Sequence, residues 1–457
     1  MNDEPKLPAS AAGSARFFQG VDWAGFGLTA LLALAVYWLT LAPEVGLEYS
    51  GIYSTGAMYP GVSFPPGHPL WTVYGWLFIK LLPISNITWR LGMATAIAGA
   101  LTCGVIALMV SRAGALAAEN FPGFKNLFPN EEKSLRVVCG CVAGLGFGFD
   151  GCFFGKTVIA DPWPLSLFLF ALTLCLLTRW FFLPQQRRCL YVVALTFGLT
   201  LSESQALIPA AFALPFLLAM GDRKLGREMF FGIGVFLWCI LAANGHLRWF
   251  DGFLNPSTWN YVMGSAAVAT LIWIVLSVQT RRFFSEWKAA LLCTVLFLTG
   301  ISACLLLPVF SMTNPPMNWG YSRTVEGFFH LITRGQFEQP NSTGSLGRLM
   351  MQLGIYGRIA VDEFGLPYLL AAVMPFCLLH KISSPARRWL VGLLVVWFFA
   401  SFLMLAGLNP SPDRSSVELT KPFFAASHLM LAVLSGCGLM LFGTFFSRPK
   451  PVTTGKV

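Results

Sequence analysis

Charge is what this chain has least of. Only 11% of its 457 residues are charged and 56% are hydrophobic, with a mean hydropathy of +0.65. A soluble chain carries about a quarter charged residues, so a water-soluble globular protein is excluded. Ready-made catalytic motifs are missing too. There is no P-loop, no glycine-rich dinucleotide turn after a strand, no Ser/His/Asp order and no HExxH helix, and the chain has five histidines. Eleven cysteines (Cys103, Cys139, Cys141, Cys152, Cys175, Cys189, Cys239, Cys293, Cys304, Cys377 and Cys437) lie scattered in apolar runs without a CxxC pair or metal-ligand spacing. They read as small packing residues, so neither disulfides nor a redox compartment follows from them.

What is present is a series of long apolar runs. Twelve of them, near 23–42, 88–111, 137–155, 163–180, 189–202, 206–220, 229–244, 259–279, 289–308, 366–379, 389–406 and 422–446, are read as bilayer crossings. The run 69–83 is short and holds Lys80. Counting it as a crossing would put the Arg179–Arg188 and Arg223–Arg227 clusters outside, against the positive-inside rule. It is therefore read as a re-entrant or interfacial helix. The first apolar run lacks a small-x-small cleavage site and is read as a retained helix. The expected architecture is an all-α bundle of about 12 helices over 23–446, with cytoplasmic tails at 1–22 and 447–457.

The net charge of +10 sits in short basic clusters between apolar runs. That placement argues for a bilayer as partner and against nucleic acid. With the basic loops inside, the unusual loops share the outer face: 43–87, 156–162, Ser202–Gln205, 245–258, 309–365 and 407–421.

The candidate site residues lie in those loops. Glu44 and Glu48 are the acids of the first outer loop (43–87), and its stretch Glu48–Leu70 holds no Lys or Arg. Glu48, before Tyr49, is a candidate general base if burial raises its pKa, and otherwise a solvated glutamate. Asp161, in ADPWP, and the deeper Asp150 are acids at membrane rims, which makes them functional candidates. Asp161 also suits a helix N-terminus before Pro-Trp-Pro. Glu203, flanked by Ser202 and Ser204, either caps a helix or lines the site. From Ser322 the chain reads as an amphipathic helix with Arg323, Glu326, His330 and Arg334 on one face. Two arginines and a histidine there suit a phosphate or pyrophosphate headgroup, or pair with anionic lipid nonspecifically. Asp413, Arg414 and Lys421 lead into the last helix, where His428 faces the protein interior.

Several stretches together resemble one family. Gly61–Leu70 (GVSFPPGHPL, containing His68) and then Trp89-Arg-Leu-Gly-Met-Ala resemble the GV-x-H-P-P-G-x-P-L…R signature of a bacterial and animal family of GT-C-type glycosyltransferases. Its animal members are protein O-mannosyltransferases. Ile159–Leu165 resembles its A-E-V-Y-x-L element, and Gly198–Ser204 its G-L-S-L-x-N-H. Blocks 314–338 and 423–428 are similar to later blocks of bacterial members, so the likeness runs from about 30 to 440.

The resemblance implies transfer of a mannose-like hexose from a polyprenyl-phosphate-linked sugar to a hydroxyl of an acceptor protein or glycan, at the outer face of a bacterial inner membrane. It implies a first-loop carboxylate as base. Glu48, one residue from the family's position and able to substitute only with a backbone shift, takes that role provisionally, with Asp161 as a second acid supporting the base or ligating a divalent metal ion. Arg323, His330 and Arg334 become the phosphate clamp, with Tyr49, His68, Glu203, Arg414 and His428 around the substrates. The chain departs from the family at Tyr49-Ser50-Gly51-Ile52 and Phe64, where the pattern has Asp-Ser-Gly-Glu and a histidine. At Glu203-Ser204 it lacks the Asn-His. Those losses keep two other readings open: a non-catalytic binder of lipid-linked sugar, and a transporter, whose mark would be paired broken helices in an inverted repeat.

Overall fold

The computed structural model describes residues 17–46, 49–247, 256–281, 284–335, 337 and 343–446. The fold is all-α. Helix α1 (Gly20–Thr40) is followed by two short helices, α2 (Ser50–Met58) and α3 (Pro69–Leu81), and by the long α4 (Ile87–Met109). Then come α5 (Pro129–Gly148), α6 (Gly151–Thr157), α7 (Trp163–Phe182), α8 (Arg187–Glu203), α9 (Ile208–Gly221), α10 (Arg223–Leu247) and α11 (Pro256–Thr280). The last part holds α12 (Trp287–Ile301), α13 (Val325–Ile332), α14 (Leu346–Phe364), α15 (Leu366–Cys377), α16 (Ser384–Phe398), α17 (Arg414–Thr420) and α18 (Ala425–Gly443).

Among the described residues eight helices are long and apolar enough to cross a bilayer, or up to 10 if each bent pair counts as one span. The bent pairs are α5/α6, turning by 74°, and α14/α15, turning by 108° at Gly365, whose φ is +75°. Two further expected crossings, α8 with 17 residues and the apolar Gln205–Gly221, are shorter than the roughly 20 residues a helical span needs. The protein is an all-α polytopic membrane protein. Helix α3, at 13 residues, is too short for a full crossing.

Helix α4 is the centre of the bundle, and 89% of its apolar window is buried against other helices. Its sequence is rich in Ala, Gly and Thr, which lets neighbouring backbones come close where lipid supplies no hydrophobic drive for helix association. The closest approach is from α5, where a Cβ on Gly144 would collide with the Cys103 carbonyl. A buried ion pair locks these helices together: Arg136 Nη2 of α5 lies 2.7 Å from Asp22 Oδ1 of α1. The Ser111 hydroxyl, after α4, donates to the same oxygen at 2.5 Å.

Candidate active site

The site starts with how the first loop is held. Val62 forms an isolated parallel bridge with Asn318, a residue far along the chain. The Val62 amide donates to the Met317 carbonyl at 2.9 Å, and the Trp319 amide donates to the Val62 carbonyl at 3.0 Å. Gly61 is required by this contact, because a Cβ there would run into the Met317 carbonyl. The loop then turns through His68, in the left-handed region at φ 47°, and enters α3.

Glu203, at the end of α8, fastens that entry. Its Oε2 accepts from the Leu70 amide at 2.9 Å and the Trp71 amide at 3.2 Å. These are two of the amides a helix leaves unpaired at its N-terminus, where the macrodipole also favours a carboxylate. His68 Nδ1 lies 2.8 Å from the Glu203 carbonyl oxygen and 3.6 Å from Oε1. Of the two readings of Glu203, the helix cap is what the geometry shows. The helix it caps is α3, far away in sequence, rather than its own neighbour.

Tyr53 of α2 is buried next to the His68 turn. Burial pushes its phenol well above the ordinary tyrosine pKa. The nearby Asp161, Glu203 and Tyr49 push it further up, and Arg334 opposes them. Groups from four segments of the chain thus act electrostatically on one hydroxyl. The His68 ring stands edge-on to the Tyr53 ring at 5.8 Å. Asp161 is buried; its Oδ1 accepts from the Trp163 amide at 2.9 Å, and its Oδ2 lies 3.6 Å from Lys156 Nζ. Of the two readings of Asp161, the cap at the start of α7 is what these contacts show.

Arg334 enters from the other side. The Gln205 amide nitrogen donates to the Ile332 carbonyl at 2.5 Å, tying the end of α13 to the end of α8. Arg334 follows at φ 54°, half-buried, its guanidinium 5.3 Å from the Phe337 ring. Burial lowers its pKa while Tyr53 raises it. Among the described residues it has no carboxylate partner. Phe64, where the family has histidine, packs at 4.9 Å from Tyr49 and at 5.7 Å from both Trp319 and Phe337. The result is an aromatic wall beside a desolvated cation.

The amphipathic helix is shorter than expected. Thr324, not Ser322, caps it, accepting from the Gly327 amide at 3.0 Å, while the Ser322 hydroxyl donates to the Leu307 carbonyl. The helix ends at Ile332, so Arg323 precedes it and Arg334 follows it. No single helical face carries both arginines. Arg323 is exposed, donates to Asn314 Oδ1 at 2.7 Å and lies over Tyr321. His330 is exposed on α13, and Arg414 is exposed as the first residue of α17, which Asp413 caps. Glu48 lies outside the described residues.

A second polar cluster joins residues the sequence kept apart. His428, in the first turn of α18, places Nδ1 at 2.9 Å from Asp150 Oδ2, with both side chains fully buried. Glu363, at the end of α14, accepts from the Gly151 amide at 2.7 Å and so closes the N-terminus of α6. The sequence places His428 facing the protein interior but does not identify Asp150 as its partner. It missed Tyr53 and Glu363 altogether. The one local hint for Tyr53 was its position four residues after Tyr49. Glu363 carried no sign beyond an acid just before the helix-ending Gly365.

Residues 50–226 match the family model described as the Protein O-mannosyl-transferase TMEM260 N-terminal domain. The resemblance read from the sequence therefore holds over the segment that carries Tyr53, His68, Asp161 and Glu203.

Proposed function

We propose that the protein is a membrane glycosyltransferase of GT-C type that moves a hexose, mannose-like, from a polyprenyl-phosphate donor to an acceptor hydroxyl on a protein or glycan. The observation that carries this reading is Arg334: a half-buried guanidinium with no carboxylate partner among the described residues, electrostatically coupled to the buried Tyr53, whose phenol Asp161 also influences. A cation held in that way suits a ligand phosphate. The family match over 50–226 supplies the reaction class.

In the proposed step the acceptor hydroxyl gives its proton to a carboxylate, and its oxygen attacks the anomeric carbon of the sugar. The bond from that carbon to the phosphate oxygen breaks, and the electron pair leaves with the polyprenyl phosphate. Arg334 stabilises the negative charge on that leaving group, as fixed charge aimed at a developing anion does. Glu48 is proposed as base; it precedes Tyr49 in the sequence. Asp161, neutralised in part by Lys156, orients the acceptor rather than taking the proton. A metal at Asp161 is disfavoured, since an ammonium and an amide already occupy its two oxygens. The aromatic wall of Tyr49, Phe64, Trp319 and Phe337 gives the sugar and the first isoprene units an apolar face.

The basic clusters on the opposite loops support an outer-face site, cytoplasmic termini and, for a bacterium, the inner membrane. Removing a general base lowers rate by about 100-fold or more. A Glu48→Gln protein that keeps full transfer activity contradicts the base assignment. The replacement of the family's acids by Tyr49 and Ile52 favours a second reading, a non-catalytic binder of the same lipid-linked sugar. That reading expects donor binding without turnover.

A further inference from the structure

Both bends in the fold arrive at one place. The α5/α6 pair breaks at Phe149-Asp150, and the α14/α15 pair breaks just after Glu363. Broken helices at membrane depth persist where protein groups or a polar site satisfy the freed backbone. Here Glu363 Oε2 takes the Gly151 amide, while its Oε1 lies 3.9 Å from Cys152 Sγ. Asp150 is fully buried, and His428 holds its Oδ2. Its other oxygen, Oδ1, has no hydrogen bond. One ligand atom from each of Asp150, Cys152 and Glu363 lies within 4.8 Å of the other two. A buried carboxylate oxygen without a donor carries an unmet desolvation cost. A cation set among these three groups would remove it.

We propose that Asp150, Cys152 and Glu363 form a binding site for a divalent transition-metal ion of the zinc type, with His428 fixing Asp150 from behind. The donor set selects the ion. Two carboxylates balance a double positive charge, and a thiolate favours a borderline ion over magnesium or calcium, which take oxygen donors in larger number. Zinc sits about 2.3 Å from sulfur and about 2.0–2.2 Å from oxygen, so the three groups close in slightly around it. Binding releases the Cys152 thiol proton to solvent and leaves a thiolate on the metal. Three protein ligands leave a fourth position for water or substrate. The His428–Asp150 hydrogen bond is the kind of outer contact that orients a metal-binding carboxylate.

The test uses the full-length protein purified in detergent, stripped with chelator and reloaded with Zn²⁺ or Co²⁺. Bound zinc is counted by elemental analysis, and cobalt is followed by its thiolate charge-transfer absorption. The expected result is one ion per chain and a thiolate–cobalt band. Cys152→Ser abolishes the band, and Glu363→Gln lowers the bound metal. His428→Gln keeps the band with affinity weakened about 10–100-fold. Cys152→Ser changes a single side-chain atom at a partly exposed position, so the test does not depend on a buried-site variant folding. An unchanged band in Cys152→Ser, or no zinc above the level of a Cys152→Ser/Glu363→Gln protein, overturns the proposal. Metal content is read without any transfer assay, so this outcome is independent of the glycosyltransferase reading.

Discussion

The backbone of Val62 pairs with that of Trp319, the Trp319 amide donating to the Val62 carbonyl at 3.0 Å. This bond joins the family-matched loop to a segment beyond the matched residues. The same pairing accompanies the packing of Phe64 against Trp319, ring centroids 5.7 Å apart. The candidate site is therefore made by docking two loops, and its integrity depends on that docking.

Gly61 is the sensitive point of the docking. Gly61→Val forces atoms into the Met317 carbonyl and should separate the loops. Overpacking of this kind costs about 1–3 kcal/mol. Thermal unfolding in detergent should show a lower Tm, and limited proteolysis should show new cleavage near 61–68. A variant with wild-type Tm and cleavage pattern argues against the contact.

Glu203 makes a graded prediction. Glu203→Leu leaves the Leu70 and Trp71 amides without an acceptor and should cost about 1–3 kcal/mol. Glu203→Gln keeps one acceptor oxygen and should lose clearly less. If the two variants unfold at the same temperature, the carboxylate is not serving as the cap of α3.

The Asp150–His428 pair should behave as a coupled unit. Removing one partner of a buried pair costs about 3–5 kcal/mol if the other is left charged. Asp150→Asn and His428→Gln should each lower Tm, and the double variant should lose less than the two losses added together. Simple additivity would show that the 2.9 Å contact carries little energy.

Arg334 and Arg323 should separate in kinetics. Arg334→Ala should raise the KM for lipid-phosphate donor and lower kcat. Arg334→Lys should recover only part of the loss, because a point charge does not replace a planar fork beside Phe337. Arg323→Ala, which removes an exposed residue bonded to Asn314, should change either value by less than about threefold. Equal effects from both arginines would restore a clamp that uses the two together.

The bundle was legible because its signal is local: apolar runs of crossing length separated by basic loops. The first loop was legible through its Gly-Pro-rich composition. The site was less so, for physical reasons. Asp161 and Arg334 were visible as charges in outer loops, yet the Gln205–Ile332 bond that ties the segment before Arg334 to the end of α8 joins residues 127 positions apart. The helix from Ser322 read too long because periodicity continues past the left-handed turn at Arg334, which pattern alone does not reveal. The Asp150–His428 and Gly151–Glu363 contacts join residues 278 and 212 positions apart, and no spacing rule reaches that far.

The central claim is that the Tyr53–Asp161–Arg334 cluster supports sugar transfer. It is tested most directly by reconstituting the protein in lipid with labelled polyprenyl-phosphate mannose and a serine/threonine-containing acceptor peptide. Wild-type protein should place label on the peptide. Asp161→Asn and Arg334→Ala, with unfolding temperatures shown to be unchanged, should reduce the rate by about 100-fold. Transfer that proceeds at the wild-type rate in both variants, or donor binding without any transfer by the wild type, would contradict it.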